Sequence, residues 1–289
     1  MKDLLRWSGP RFAALASAVC VLTMTPAQAI SFKATLTAIK LNARPGQVLN
    51  SAFRLTLDKD QPKTRFRSHA EDWWRSEDGK QSFYAEPGSH ERSCGKWVTI
   101  NPVEAEALPD EALVIRLTVA VAPDAKPGGY WCALTVDQQP DPLASSDGVA
   151  MAFLASVSTA IFVYVSPLEQ AAEITGVAVG SDIATLRLQN SGNTPLPIEG
   201  KIEFRRLDED EPLAVVSLDR GTLFTHPLTT GLFSGRLPDA AALPSGSYKV
   251  RAIVDFGGDH YIGVERQVHV VRESPALPPG TLIAGGSPP

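Results

Sequence analysis

The chain of 289 residues carries 27 Lys and Arg against 32 Asp and Glu, for a net charge of −5, with 44% hydrophobic and 20% charged residues. This balance is close to the globular average and excludes a disordered polyelectrolyte, a collagen-like chain and a membrane protein with several spans; with no Lys/Arg-rich patch it also excludes a nucleic-acid binder. At about 150 residues per domain the length predicts two domains, and 22 Gly and 23 Pro spread along the chain, without helical heptads, predict an all-β protein.

Residues 1–29 read as a secretory signal peptide. Lys2, Arg6 and Arg11 form a positive leader, residues 12–24 are apolar, and Ala27-Gln28-Ala29 offers small residues for cleavage. The apolar run is shorter than the roughly 20 residues a membrane-spanning helix needs. The expectation is cleavage after Ala29 and a periodic-strand protein released, with no transmembrane span, into the periplasm or the medium. Cys20 lacks the preceding residues of a lipoprotein signal. Losing three basic groups and Asp3 leaves 24 basic and 31 acidic side chains, a net charge of −7. It also leaves two cysteines, Cys94 and Cys132, in an oxidising compartment, where they are expected to form a disulfide rather than a redox pair, since redox sites use Cys-x-x-Cys.

Residues 47–57 end in period-two alternation, with Phe53, Leu55 and Leu57 on one face, and predict a half-buried strand. In His69-Ala70-Glu71-Asp72-Trp73-Trp74-Arg75 the adjacent tryptophans point to opposite faces of a strand, so both cannot enter one core. An exposed Trp73 or Trp74 would stack on a sugar ring or anchor a partner protein. Leu113, Ile115, Leu117, Val119 and Val121 alternate with Val114, Arg116, Thr118 and Ala120. A Pro/Gly turn at 122–129 and a strand at 130–136 follow, which predicts an antiparallel pair.

After a polar loop at 137–148, residues 149–165 contain no Gly, Pro or charged residue, and their β-branched and aromatic content predicts strand. Seventeen strand residues would span about 56 Å, so the strand bends or runs past the sheet. Met151, Phe153, Ala155, Val157, Thr159, Ile161 and Val163 fall on one face, Ala152, Leu154, Ser156, Ser158, Ala160 and Phe162 on the other. Which face meets the core, and whether the strand is an open edge or central, stay undecided.

Ser166-Pro167 marks a boundary. Beyond it, 184–188 alternates, Asn190-Ser191-Gly192-Asn193 is a turn, 198–207 and 213–218 are strands, and the acidic 208–211 is a solvated loop. Pro127-Gly128-Gly129-Tyr130 and Pro244-Ser245-Gly246-Ser247-Tyr248 each deliver a tyrosine into a late strand, as immunoglobulin-like sandwiches do to tie down a corner through the hydroxyl. The expected organisation is a signal peptide at 1–29, immunoglobulin-like β-sandwiches at 30–166 and 167–272, and a disordered Pro/Gly-rich tail at 273–289.

No catalytic constellation emerges. The five histidines show no metal-ligand spacing, and Ser93-Cys94-Gly95-Lys96 matches Ser-x-x-Lys without its partner motifs. The reading is of a non-enzymatic protein without cofactor or metal.

The stretch Trp97-Val98-Thr99-Ile100-Asn101-Pro102, then Ala107-Leu108-Pro109-Asp110-Glu111, the alternating strand and Ala122-Pro123-Asp124-Ala125-Lys126-Pro127-Gly128-Gly129-Tyr130 resembles the first domain of bacterial PapD-like periplasmic chaperones. It is also similar to the tandem-domain, WxL-interacting surface proteins. Both groups join two β-sandwiches through a long strand, as 149–167 would. The chaperones hold a subunit's terminal carboxylate with two basic residues and lend it the alternate apolar residues of that strand. By this resemblance Lys40 takes the early basic position, and Met151, Phe153 and Leu154 the partner-binding strand, while Thr159 and Ala160 stand where the second base belongs. The resemblance implies an exported or cell-envelope polypeptide as partner, held by strand addition. The alternative is an envelope carbohydrate or peptidoglycan bound by Trp73 or Trp74.

Overall fold

The computed structural model describes residues 31–35, 38–84, 86–140 and 154–272. The expected signal peptide, the tail, Met151 and Phe153 lie outside them. No helix among the described residues is long and apolar enough to cross a membrane.

The first ten strands are β1 (Phe32–Ala34), β2 (Ala38–Ala43), β3 (Val48–Leu57), β4 (Thr64–Arg75), β5 (Gln81–Tyr84), β6 (Val98–Asn101), β7 (Glu104–Ala107), β8 (Ala112–Ala120), β9 (Gly128–Gln138) and β10 (Ser156–Val165). They form a sheet of order β1-β3-β8-β6 and a second of order β2-β10-β9-β4-β5, with β7 also on β4. Alternation dictates the layers. Phe53, Leu55 and Leu57 of β3 and Ile115, Leu117 and Val119 of β8 turn inward from the first sheet, and Phe66, Leu134, Ile161 and Val163 meet them from the second. The result is a two-layer sandwich around one apolar core.

Pairing corrects one expectation. β8 and the strand that follows it are not partners: β8 pairs with β3 and β6, whereas β9 pairs with β10 and β4 in the opposite sheet. The turn between them crosses the core instead of folding back in one plane. A strand alternating apolar and polar residues fits either arrangement, so periodicity alone did not separate them.

The remaining strands are β11 (Ala172–Val179), β12 (Ile183–Asn190), β13 (Leu196–Arg205), β14 (Ala214–Ser217), β15 (Gly221–Leu223), β16 (Thr230–Arg236), β17 (Gly246–Asp255) and β18 (Ile262–Val270). They form sheets β11-β12-β16 and β14-β13-β17-β18, with β15 on β13, around a core of Leu186, Leu188, Ile202, Phe204 and Val250 among others. The acidic 208–211 is exposed, as expected.

Both tyrosine corners form. Tyr130 donates its hydroxyl to the Lys126 carbonyl at 3.0 Å, and Tyr248 donates to the Pro244 carbonyl at 2.8 Å. The Cys94–Cys132 disulfide ties the loop after β5 to β9, with both cysteines fully buried. Its 38-residue separation corresponds to about 4 kcal/mol of stabilisation by loop-closure entropy.

Each corner hydroxyl is expected to contribute about 1 kcal/mol. Tyr130→Phe and Tyr248→Phe should therefore each lower the urea midpoint of unfolding by that equivalent, and an unchanged midpoint in both would show that the corners hold nothing.

Candidate functional site

The second sheet places β10 next to its edge. β9 pairs antiparallel with all ten residues of β10, from Ser156 opposite Asp137 to Val165 opposite Gly128. On the other side β2 pairs in parallel with residues 160–165 only. The described chain before β2 crosses to the first sheet, where Phe32, Lys33 and Ala34 pair with β3. Among the described residues, therefore, no strand faces 156–158 on the β2 side. Among the described residues, β10 is central over 160–165 and an edge over 156–158.

The two faces of β10 also resolve. Ile161, Val163 and Val165 enter the sandwich core with Val157 packed against it, so along the described strand the face bearing Val157, Ile161 and Val163 is the core-facing one. Ser156, Ser158, Ala160 and Phe162 point outward. Both serines are anchored to β9: Ser156 donates to Asp137 Oδ1 at 2.6 Å, and Ser158 Oγ lies 2.7 Å from Thr135 Oγ1. The Thr135 hydroxyl also donates to the buried Glu71 carboxylate, and His69 Nδ1 stands 3.4 Å from Asp137 Oδ2. The uncovered end of β10 is thus held extended by one side only.

An aromatic cleft lies on the same outer face. In register, Ala133, Ala160 and Ala38 stand side by side on β9, β10 and β2, one level below the large pair Trp131 and Phe162. The three methyl groups floor a cleft of about 260 Å³, walled by the rings of Trp73, Phe83 and Phe162. Phe83 stacks on Trp73 at 6.4 Å and Phe162 meets it edge-on at 6.1 Å.

Trp73 is 7% exposed and its partner Trp131 is fully buried. Beyond Glu71 the pairing of β4 with β9 ends, and the two indoles span the gap. Trp73 Nε1 donates to the Cys132 carbonyl at 3.0 Å, and Trp131 Nε1 to the Trp73 carbonyl at 2.8 Å. Phe224, which follows β15, closes this group at 5.1 Å from Trp73 and 4.7 Å from Trp131. The β4–β5 hairpin adds a second clasp: the Leu232 amide donates to the Glu77 carbonyl at 2.7 Å, Arg187 pairs with Glu77 at 2.5 Å, and the Arg75 guanidinium lies 4.8 Å over the Phe233 ring. Gly129 donates to the Asn193 carbonyl at 2.8 Å. A Cβ on Gly128, which sits at φ +130, would stand 2.5 Å from that oxygen, so the Pro/Gly turn read in the sequence is a close backbone approach.

The site residues read from the sequence separate. Lys40 is exposed on β2 opposite Phe162, with Ala38 rather than a base opposite Ala160. Leu154 is 51% exposed at the start of the described β10 segment. Trp73 is 7% exposed and lines the aromatic cleft, and Trp74 is half-buried against Tyr84 at 4.3 Å and His90 at 5.9 Å. Sequence reasoning missed Asp72, which is wholly buried. Its Oδ2 accepts the Gly88 and Ser89 amides at 2.7 and 2.6 Å and the Ser89 hydroxyl at 2.8 Å, while Oδ1 accepts the Ser93 hydroxyl. It fixes the loop that the disulfide also holds. Among the described residues no group of three His, Cys, Asp or Glu side chains is arranged to hold a metal.

No protein-family model matches the chain, and no curated protein matches it. Several solved chaperones are similar to it in structure. The Pseudomonas aeruginosa CupB2 chaperone is 13% identical, with 83% of this chain and 100% of that one covered and a TM-score of 0.44. The class 5 fimbriae chaperone CfaA is 10% identical over 84% and 100%, with a TM-score of 0.43. The Salmonella enterica SafB chaperone, solved in complex with the SafA pilin, is 10% identical over 82% and 97%, with a TM-score of 0.44.

His90 stacks on Trp131 at 4.5 Å, and neither ring nitrogen has a hydrogen-bond partner among the described residues. Burial holds its imidazole below the ordinary 6.5, with the Asp72 carboxylate pulling the other way. The unfolded chain therefore takes up a proton near pH 6.5 while the folded chain resists until lower pH. This contribution to stability is complete above pH 6.5 and is lost as pH falls toward the folded value. The urea midpoint should fall more steeply between pH 7.5 and 5.5 in the wild type than in His90→Phe, and parallel curves would remove His90 from the acid response.

Proposed function

We propose that the protein is a non-enzymatic, exported binding protein of the assembly or chaperone type, which holds another exported polypeptide by pairing with one of its strands along 156–158. One observation carries the reading: β10 is paired along its whole length by β9 but only along 160–165 by β2. An uncovered strand side presents backbone donors and acceptors to a further strand, and natural edges are usually blunted by Lys, Pro or a bulge. Ser156-Val157-Ser158 carries neither Lys nor Pro. A partner strand there would continue the line of β2 without displacing it, and each backbone hydrogen bond made would contribute about 1 kcal/mol.

The signal read at 1–29 supports export, and the two apolar cores support a division into sandwiches at 30–166 and 167–272. In this arrangement the second unit contributes Phe224 and the Leu232 and Arg187 partners of Glu77, which fix its position beside the cleft. Leu154, Ser156 and Ser158 are the residues a partner strand would pass, and Lys40 stands at the far end of that line.

The experiment places Lys at Leu154 and Ser156 together, both outward positions outside the core. Mature wild-type protein should retain an envelope polypeptide in a pulldown with purified candidate partners, and the double variant, folded by circular dichroism, should lose at least about tenfold in affinity. A folded double variant that binds the same polypeptide equally well would overturn the reading.

A further inference from the structure

Resting on that reading, the outer-face cleft identifies what the paired strand carries. The floor is a break in a pattern. Levels on either side bear bulky or polar groups, Trp131 and Phe162 above and Thr135 and Ser158 below, whereas three neighbouring strands at the floor level carry only alanine. The gap is about 260 Å³, is continuous with Ser158 at the uncovered side of β10, and has three aromatic walls.

The lining sets the chemistry. Among the described residues no charged side chain lines the cleft, and Lys40, one level up, is outside it. Burying a carboxylate or ammonium there would cost its hydration without a counter-charge. The walls of Trp73, Phe83 and Phe162 favour an aromatic ring, which gains from edge-on and offset contacts beyond its area. Gln81 and Thr222 add an amide and a hydroxyl to the lining, polar groups that a ring hydroxyl can meet. We propose that the cleft takes a neutral phenol-type ring, the side chain of a tyrosine on the partner strand entering at the level of Ser158.

The test uses N-acetyl-tyrosinamide as probe, which has the ring but no strand to add. N-acetyl-lysinamide and methyl β-glucoside serve as comparators. In ¹⁵N-labelled mature protein the Trp73 indole N–H resonance should shift saturably with the tyrosinamide alone. Ala160→Leu, which fills the floor, should weaken the response at least about tenfold. Phe83→Ala, at a 47% exposed wall position that the core does not need, should weaken it too and covers the case in which the leucine disturbs folding. No saturable shift, an equal shift with the lysine amide or the glucoside, or a tyrosinamide response unchanged in both variants would overturn the proposal. Because the probe pairs with no strand, its binding stands even if partner pairing at 156–158 fails. A silent probe beside a partner that does pair there removes the ring pocket alone.

Discussion

The structure turns on a mismatch of length between neighbouring strands. β9 accompanies β10 for ten residues, while β2, running parallel on its other side, accompanies it for six. Among the described residues, Phe32, Lys33 and Ala34 pair in the opposite sheet, and β2 pairs with β10 from Ala38 to Ala43. Among the described residues this leaves 156–158 of β10 with one neighbouring strand, and the aromatic cleft lies beside that part.

The surroundings hold this edge rigid instead of leaving it to fray. β9 is fixed by the disulfide to Cys94, by the Tyr130 corner and by the two indole-to-carbonyl hydrogen bonds that replace its pairing with β4. The Asp72 carboxylate secures the loop carrying Cys94. From the second set of sheets, Phe224 and the Leu232 and Arg187 partners of Glu77 reach the same region, so the outer face of the second sheet is a floor with a defined far wall. In the proposed strand pairing, groups ordered beforehand would lower the conformational entropy lost on binding.

Much of this was legible in the sequence wherever a period of two was strong. Phe53, Leu55 and Leu57, and Ile115, Leu117 and Val119, were assigned to buried faces by alternation and are buried. The two Pro/Gly-tyrosine corners were legible because their chemistry is local. What sequence did not provide was pairing: alternation put β8 beside the strand that follows it, although that strand belongs to the other layer. Asp72 gave no signal, since its partners are distant amides and hydroxyls gathered by the fold. The run at 149–165 showed strand but not its neighbours, and Ser156 and Ser158, read only as members of one face, prove to be the groups that tether the edge to Asp137 and Thr135. Phe224 lies 93 residues beyond Trp131, too far for any local pattern to join them.

The central claim is that 156–158 forms backbone hydrogen bonds with another polypeptide. Amide hydrogen exchange across β10, with and without a bound envelope polypeptide, tests it most directly. The account predicts slowed exchange concentrated in the uncovered end of β10, with residues 160–165 already protected in the free protein. A bound polypeptide that leaves the exchange of 156–158 unchanged would contradict it.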